Sequence, residues 1–161
     1  MTNTDERIHI KRTGTVDMAL TAVEAFSLFN AEGERRWVAG WNPRYVYSDG
    51  PSVGEGVVFQ TTRSGGATET WVQTRHDPAA GFASFVRVVP DHHVATVDVN
   101  VKPAGELKSQ ATVTYRMISL SSDGDEFVRA FDSAFEDFMA HWAEAIQRHV
   151  VEGVPLDEER P

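Results

Sequence analysis

The sequence predicts an α+β domain in which a seven-stranded antiparallel, curved sheet wraps around one long C-terminal helix. Three observations lead to this fold class. Seven segments alternate apolar and polar residues, as strands with one buried face do. The turns between the last six segments are too short to hold the helix that a parallel connection needs. The C-terminal part instead repeats apolar residues at steps of three and four, which indicates one amphipathic helix.

The chain begins with a strand and two short helices. Residues 8–16 alternate apolar and polar side chains, which predicts strand 1. The spacing then becomes helical, and Thr21 can cap a helix because Glu24 follows three residues later, as in a capping box. Asn30 and Gly33 interrupt this pattern, so we expect two short helices in succession between strands 1 and 2.

Six further strands follow Pro43, separated by turns rich in glycine, proline and aspartate. Because consecutive strands are joined by such short turns, we expect a meander in which sequence neighbours pair. The predicted strands are residues 44–48, 56–62, 67–76, 82–89, 93–101 and 108–120.

The long helix is the clearest pattern in the chain and covers residues 123–151. Ser122 or Asp123 can cap its start, and Gly153 with Pro155 ends it. A stripe with this much aromatic surface requires a partner, and the concave face of the sheet provides one. The aromatic members of the stripe are Phe127, Phe131, Phe135, Phe138 and Trp142.

Length and composition predict one globular domain. We expect residues 1–161 to form a single domain, with a core at about 7–151 and an acidic tail at 152–161. The net charge of −9 argues against nucleic acid as a partner, since it repels phosphate backbones. The chain has no cysteine, which favours a reducing cytoplasm, and it has no apolar run long enough for membrane insertion.

No cofactor and no metal ion are expected from the sequence. A nicotinamide or flavin site would need a βαβ unit, and none can be drawn. The glycine clusters at 54–56 and 64–66 lead into strands rather than helix N-termini, so neither is a phosphate-binding loop. The histidines lack the spacing of a metal site.

Several segments carry a resemblance to a known superfamily. They are "VEAFSLFNAEGERRWVAGWNP", "GVVF", "TWVQTRHDP", "ATVTYRMISLS" and "FDSAFEDFMAHWAEAI". With the order of elements, they resemble the helix-grip (START-like, SRPBCC) superfamily over about residues 7 to 150. That superfamily includes START-related lipid-transfer domains, pollen-allergen-like proteins, polyketide cyclases and dehydratases, and Hsp90-ATPase-activator homologues. The resemblance implies an internal cavity, with the two short helices supporting the long helix and framing the cavity mouth.

The aromatic residues allow two interpretations. Trp37, Trp41 and Tyr45 lie where the short helices lead into the sheet, so they either fill the end of the core or line the cavity entrance. They also could divide these roles, with Trp37 inside and Trp41 at the rim. The helix residues Phe131, Phe135 and Phe138 are either core or cavity wall. Small strand residues opposite them leave room for a cavity on the order of a few hundred Å³. These small residues are Ala83, Ala95, Ser109 and Ala111.

Polar residues in the same register as apolar neighbours are candidates for the cavity interior. Glu69 shares its register with Trp71, and Arg87, His93 and Tyr115 lie between apolar residues on their own strands. Inside a cavity, such groups could serve as acid, base or anchor for a ligand carboxylate or carbonyl. The alternative is that they are solvated surface residues. No catalytic residue can be assigned.

Three functions from different classes remain, and the first is our prediction. The protein binds a small hydrophobic molecule, such as a lipid, a sterol-like compound or an aromatic, polyketide-like metabolite. The second is an acid–base enzyme of the polyketide cyclase or dehydratase kind. The third is a protein-interaction module like the Hsp90-activator homologues. Pairing of an edge strand between two subunits would make a homodimer, and nothing in the sequence selects it.

Overall fold

The computed structural model describes residues 7–48, 53–63 and 65–153. Its elements follow the predicted order of one strand, two short helices, six strands and a long helix. The strands are β1 (His9–Met18), β2 (Arg44–Tyr47), β3 (Val58–Thr62), β4 (Thr68–Asp77), β5 (Phe82–Val89), β6 (His93–Gly105) and β7 (Lys108–Ser119). The helices are α1 (Ala22–Phe26), a 3₁₀ helix (Gly33–Arg36) and α2 (Ser122–Glu152). Most of the predicted acidic tail, at 154–161, lies outside the described residues.

All seven strands form one antiparallel sheet in the order β1-β7-β6-β5-β4-β3-β2. Strands β2 to β7 are the predicted meander, and β1 pairs with β7 along its whole length. The sheet is curved and α2 packs against β1 and β7, which confirms the predicted fold class. Strand β6 is longer than predicted, because the apparent turn at residues 102–105 continues to pair with β7 through an irregularity at Pro103.

Helix α2 begins one residue before its predicted start, and its cap is Ser121 rather than Ser122 or Asp123. The Ser121 hydroxyl accepts a hydrogen bond from the backbone N–H of Gly124 at 3.1 Å. Ser121, two residues after the end of β7, has the extended backbone that a cap requires. Gly153 ends the helix in the left-handed conformation, as its position predicts.

The connection from α1 to the 3₁₀ helix is a tight turn that determines what faces the core. The Asn30 side chain accepts a hydrogen bond from the Gly33 N–H at 2.7 Å. A β-carbon at Gly33 would lie 2.0 Å from the backbone oxygen of Ser27, so only glycine fits here. This turn orients the 3₁₀ helix so that Trp37, directly after it, is almost completely buried.

Candidate functional site

A small cavity lies between the concave face of the sheet and α2. Its volume is about 20 Å³, which is the space of about one water molecule. Six of its nine lining residues are aromatic, one is charged, and two are valines. The lining consists of Glu34, Trp41, Phe59, Trp71, Phe85, Val97, Val99, Tyr115 and Trp142.

The cavity is much smaller than the few hundred Å³ that the small strand residues suggest. Aromatic rings occupy the interior around the cavity, where Trp71 packs in contact with Trp41, Phe59 and Phe85 at ring-centroid distances of 5.8–6.5 Å. Three larger depressions of about 300 to 390 Å³ are open on the surface. Of the predicted site residues, only Phe135 borders one of them.

Glu34 is the only charged residue in the cavity lining, and the sequence analysis missed it. It lies on the 3₁₀ helix, and no described residue forms a hydrogen bond or ion pair with its carboxyl group. Burial of the carboxyl group raises its pKa from the ordinary value of 4.5 to about 8. One signal could have found Glu34: residues three apart lie on one side of a 3₁₀ helix, which places Glu34 beside the buried Trp37.

Tyr115 is the second polar residue in the lining. No hydrogen bond connects its hydroxyl group to another described residue. Burial raises the pKa of this hydroxyl, the positive charge of Arg87 opposes the rise, and the negative charges of Glu34 and Glu69 add to it by smaller amounts. Tyr115 is therefore a neutral hydrogen-bond donor and acceptor at physiological pH, close enough to Glu34 for the two groups to interact electrostatically.

Three of the predicted site residues meet in a separate polar group beside the cavity, which we call the Arg87 cluster: Arg63, Glu69, Arg87, His92 and His93. The Arg87 guanidinium donates from Nε and Nη2 to Nε2 of His93, at 3.2 and 3.0 Å. Oε2 of Glu69 lies 4.0 Å from Nε of Arg87 and 3.9 Å from Nε of Arg63. The guanidinium carbon of Arg87 lies 5.3 Å from the centre of the Trp71 ring. None of these five residues lines the cavity.

The Arg87 cluster determines which nitrogen of His93 carries the proton. An arginine can only donate, so Nε2 of His93 must accept, and the proton lies on Nδ1. Nδ1 of His93 then donates to Nδ1 of His92, at 2.8 Å. Burial, followed by the nearby charge of Arg87, lowers the pKa of His93 to about 3. The fully buried imidazole is therefore neutral at pH 7, and it stacks on Phe127 at 4.4 Å.

The aromatic residues before and at the start of β2 have different positions relative to the cavity. Trp37 is 1% exposed, donates from Nε1 to the backbone oxygen of Leu28 at 2.9 Å, and lies outside the cavity lining. Trp41 is part-buried, lines the cavity, and donates to the backbone oxygen of Ala31 at 2.8 Å. Tyr45 packs on Phe59, and its hydroxyl donates to the carboxylate of Glu32 outside the cavity.

The predicted helix residues support the cavity from behind. Phe131, Phe135 and Phe138 pack on Tyr115 at ring-centroid distances of 5.0, 6.4 and 5.6 Å. None of them lines the cavity. Of the eleven predicted site residues, the cavity thus brings together Trp41, Trp71 and Tyr115, and it adds Glu34.

Three solved structures illustrate the proteins to which this chain is similar. Norcoclaurine synthase from Thalictrum flavum, in complex with dopamine and hydroxybenzaldehyde, has a TM-score of 0.67 at 13% identity, over 93% of this chain and 91% of that one. Zhui aromatase/cyclase from Streptomyces sp. R1128 has a TM-score of 0.62 at 14% identity, over 90% and 96%. Ara h 8.0201 has a TM-score of 0.63 at 11% identity, over 87% and 99%. The chain has the helix-grip fold.

The helix-grip fold is shown by structure rather than by sequence. No protein-family model matches the chain, and no curated protein matches its sequence. At identities this low the likeness shows the fold alone, so function has to be argued from the site. Within the described ranges, no helix is long and apolar enough to cross a membrane. No three histidine or acidic side chains of the described residues are grouped so that they could hold a metal ion.

Proposed function

We propose that this protein binds a small, mostly apolar molecule in the cavity between the sheet and α2. The observation that carries the proposal is the pair of polar groups at an otherwise aromatic cavity, Glu34 and Tyr115, whose side chains form no hydrogen bond with another described residue. A ligand in the cavity can supply the hydrogen-bond partners that these two groups lack among the described residues. The similar structures support the same class of ligand, since one holds dopamine and hydroxybenzaldehyde and another is an aromatase/cyclase.

Uptake of anything larger than water requires one wall of the cavity to move. Trp41 is the best suited wall residue, because it is part-buried and lies in the irregular segment between the 3₁₀ helix and β2. Its ring meets Phe59 and Trp71 edge to face, at 6.0 and 5.8 Å. The Arg35 side chain links the two ends of this segment, since it donates to the Asn42 side chain and to the backbone oxygen of Pro43, both at 3.2 Å.

Substitution of Trp41 tests the proposal. We expect the purified wild-type protein to bind 2-naphthol with one-to-one stoichiometry in isothermal titration calorimetry. Trp41→Ala should bind at least tenfold more tightly, because the ligand no longer has to displace an indole ring. The stability cost should be about 1–2 kcal/mol, below the range for fully buried tryptophans.

The control variant is Trp37→Ala, which removes the same kind of side chain from outside the cavity lining, where Trp37 packs on Trp142. We expect it to cost about 4 kcal/mol of stability and to leave the affinity within twofold of wild type. An equal gain of affinity in both variants would mean that 2-naphthol fills any engineered void. Wild-type protein that neither binds the probe nor carries an extractable apolar molecule would contradict the proposed function.

Acid–base catalysis is a second candidate, favoured by the pKa of about 8 at Glu34. A carboxylate of that basicity could remove the proton next to a ligand carbonyl, while the Tyr115 hydroxyl donates a hydrogen bond to the enolate oxygen. Return of a solvent proton to the same carbon completes the exchange. We expect acetophenone in D₂O to gain deuterium in the methyl group at least 100-fold faster with wild type than with Glu34→Gln. Incorporation at the same rate with both proteins would exclude this candidate.

A further inference from the structure

We infer that the ligand of the cavity is an organic cation, an aryl-alkyl ammonium whose charged nitrogen binds between the Glu34 carboxylate and the surrounding aromatic rings. This inference rests on the binding function proposed above and names the class of ligand. It follows from three properties of the lining: its charge, its rings and its size.

The charge of the lining favours a cation. Glu34 carries its only carboxyl group, and the lining contains no lysine, arginine or histidine. A ligand carboxylate would therefore meet a carboxyl group and no positive partner. An ammonium group can donate one hydrogen bond to the Glu34 carboxylate and another to the Tyr115 hydroxyl oxygen, which satisfies both groups at once.

The aromatic rings favour a cation as well. Trp41, Trp71 and Trp142 enclose the cavity together with Phe59 and Phe85. A cation within about 6 Å of an aromatic ring face is attracted by the ring quadrupole, most strongly by tryptophan. The net charge of −9 also raises the concentration of cations near the protein.

The buried cation Arg87 does not line the cavity, although its charge acts on the Tyr115 hydroxyl. Arg87 stands over the Trp71 ring and outside the lining, and its charge is shared with Glu69 at 4.0 Å. Burial alone raises the pKa of Glu34, and no positive charge among the described residues offsets the rise. The carboxyl group therefore lacks a counter-ion among the described residues, which a bound ammonium would supply.

The size of the cavity sets which part of the ligand fits. About 20 Å³ holds one water-sized group, and a primary ammonium nitrogen with its hydrogens is of that size. The aryl part of the ligand then takes the volume that Trp41 leaves when it moves outward. Deprotonation of Glu34 has to accompany binding, so at pH 7 the complex forms with release of up to about one proton.

Three probes of matched shape test the inference: 2-phenylethylammonium, 2-phenylethanol and phenylacetate. We expect calorimetry with wild type at pH 8.5 to give an affinity for the ammonium at least tenfold above that for the alcohol, and weakest binding for phenylacetate. Titrations at pH 7 in buffers of different ionisation enthalpy should show proton release with the ammonium only. A primary ammonium stays protonated under these conditions, as lysine does below about pH 9.

Two glutamate variants test whether Glu34 is the residue that binds the ammonium group. Glu34→Gln should weaken binding of the ammonium at least tenfold and leave that of the alcohol within twofold. Glu32→Gln is the matched control, because its carboxylate is bound to Tyr45 and Arg35 outside the cavity, and it should behave as wild type towards all three probes. Circular dichroism and thermal unfolding establish that each variant is folded.

The outcomes separate the inference from the proposed function. If wild type binds the alcohol as tightly as the ammonium, or if Glu34→Gln leaves the ammonium affinity unchanged, the inference is wrong and the binding function stands. If phenylacetate binds best, the ligand is an anion and the Arg87 cluster becomes its counter-charge. If none of the three probes binds to wild type but 2-naphthol does, the inference is wrong and the binding function stands; if 2-naphthol and an extractable ligand are absent as well, the proposed function fails together with the inference.

Discussion

Replacement of Glu34 by glutamine should make the protein more stable, and the gain should grow with pH. Folding raises the pKa of Glu34 from 4.5 to about 8, so the folded state prefers the protonated form. Below pH 4.5 the carboxyl group is protonated in both states and costs nothing. Between pH 4.5 and 8 the unfolded chain gains the free energy of ionisation while the folded protein does not, so wild type loses stability as pH rises. A glutamine has no such pH dependence.

The size of this effect follows from the shift. At about 1.36 kcal/mol per pH unit, the cost rises by at most about 4 kcal/mol between pH 5 and pH 8.5. Part of the Glu34 residue is exposed, so water and small movements relax the buried charge, and we expect about half of that limit. The free energy of unfolding of Glu34→Gln should therefore exceed that of wild type by about 2 kcal/mol more at pH 8.5 than at pH 5.

Urea denaturation followed by circular dichroism at pH 5, 6, 7 and 8.5 measures the difference between the two proteins. Glu32→Gln is the control of opposite sign, because the hydrogen bond from Tyr45 and the charge of Arg35 lower the pKa of Glu32. Its stabilising effect is present above pH 4.5 and is lost as pH falls, so this variant should be less stable than wild type at pH 7. Parallel curves for Glu34→Gln and wild type would show that Glu34 ionises like an exposed carboxylate, and would refute the reasoning.

Three further results are expected. Burial lowers the pKa of His93 to about 3, so its contribution to stability is complete above pH 6.5 and is lost as the pH falls towards 3. In His93→Gln, the free energy of unfolding should therefore fall less steeply between pH 6.5 and 4. An unchanged slope would contradict the assignment. Gly33→Ala should cost about 3 kcal/mol in urea denaturation, because its β-carbon would lie 2.0 Å from the Ser27 oxygen; a cost below about 0.5 kcal/mol would show that the turn can relax. Phe135→Arg should leave no cooperative unfolding transition, since the arginine would replace a ring that is 2% exposed and packs on Tyr115.

Periodicity made most of the fold predictable. The alternation in the strands and the three-to-four spacing in α2 depend on which face of each element is buried. Buried positions carry apolar residues, so the pattern can be seen in the sequence. Strand β5 has the predicted bounds, whereas β6 extends to Gly105 because pairing with β7 tolerates Pro103 at an irregularity. The protein-interaction function and the homodimer stay predictions, since no partner chain is described.

The candidate site was less predictable than the fold. The structure places Trp71 and Tyr115 in the cavity lining, but strand register could not separate them from Arg87 and His93, which lie in another cluster. Glu34 was not predicted because the segment "GERRW" has no apolar periodicity, and a glutamate there resembles a solvent-exposed residue of a turn. Only the sharp turn at Gly33 brings its carboxyl group to the cavity.

The amino-acid sequence by itself determined the order of the elements, the antiparallel meander and the long helix in the concavity, because these depend on local periodicity and on the length of each turn. The tertiary structure decided the volume of the cavity and the identity of its polar groups. Both depend on how rings from the 3₁₀ segment, four central strands and α2 pack together. Such packing joins residues more than a hundred positions apart, as between Glu34 and Trp142, and no pattern along the chain records it.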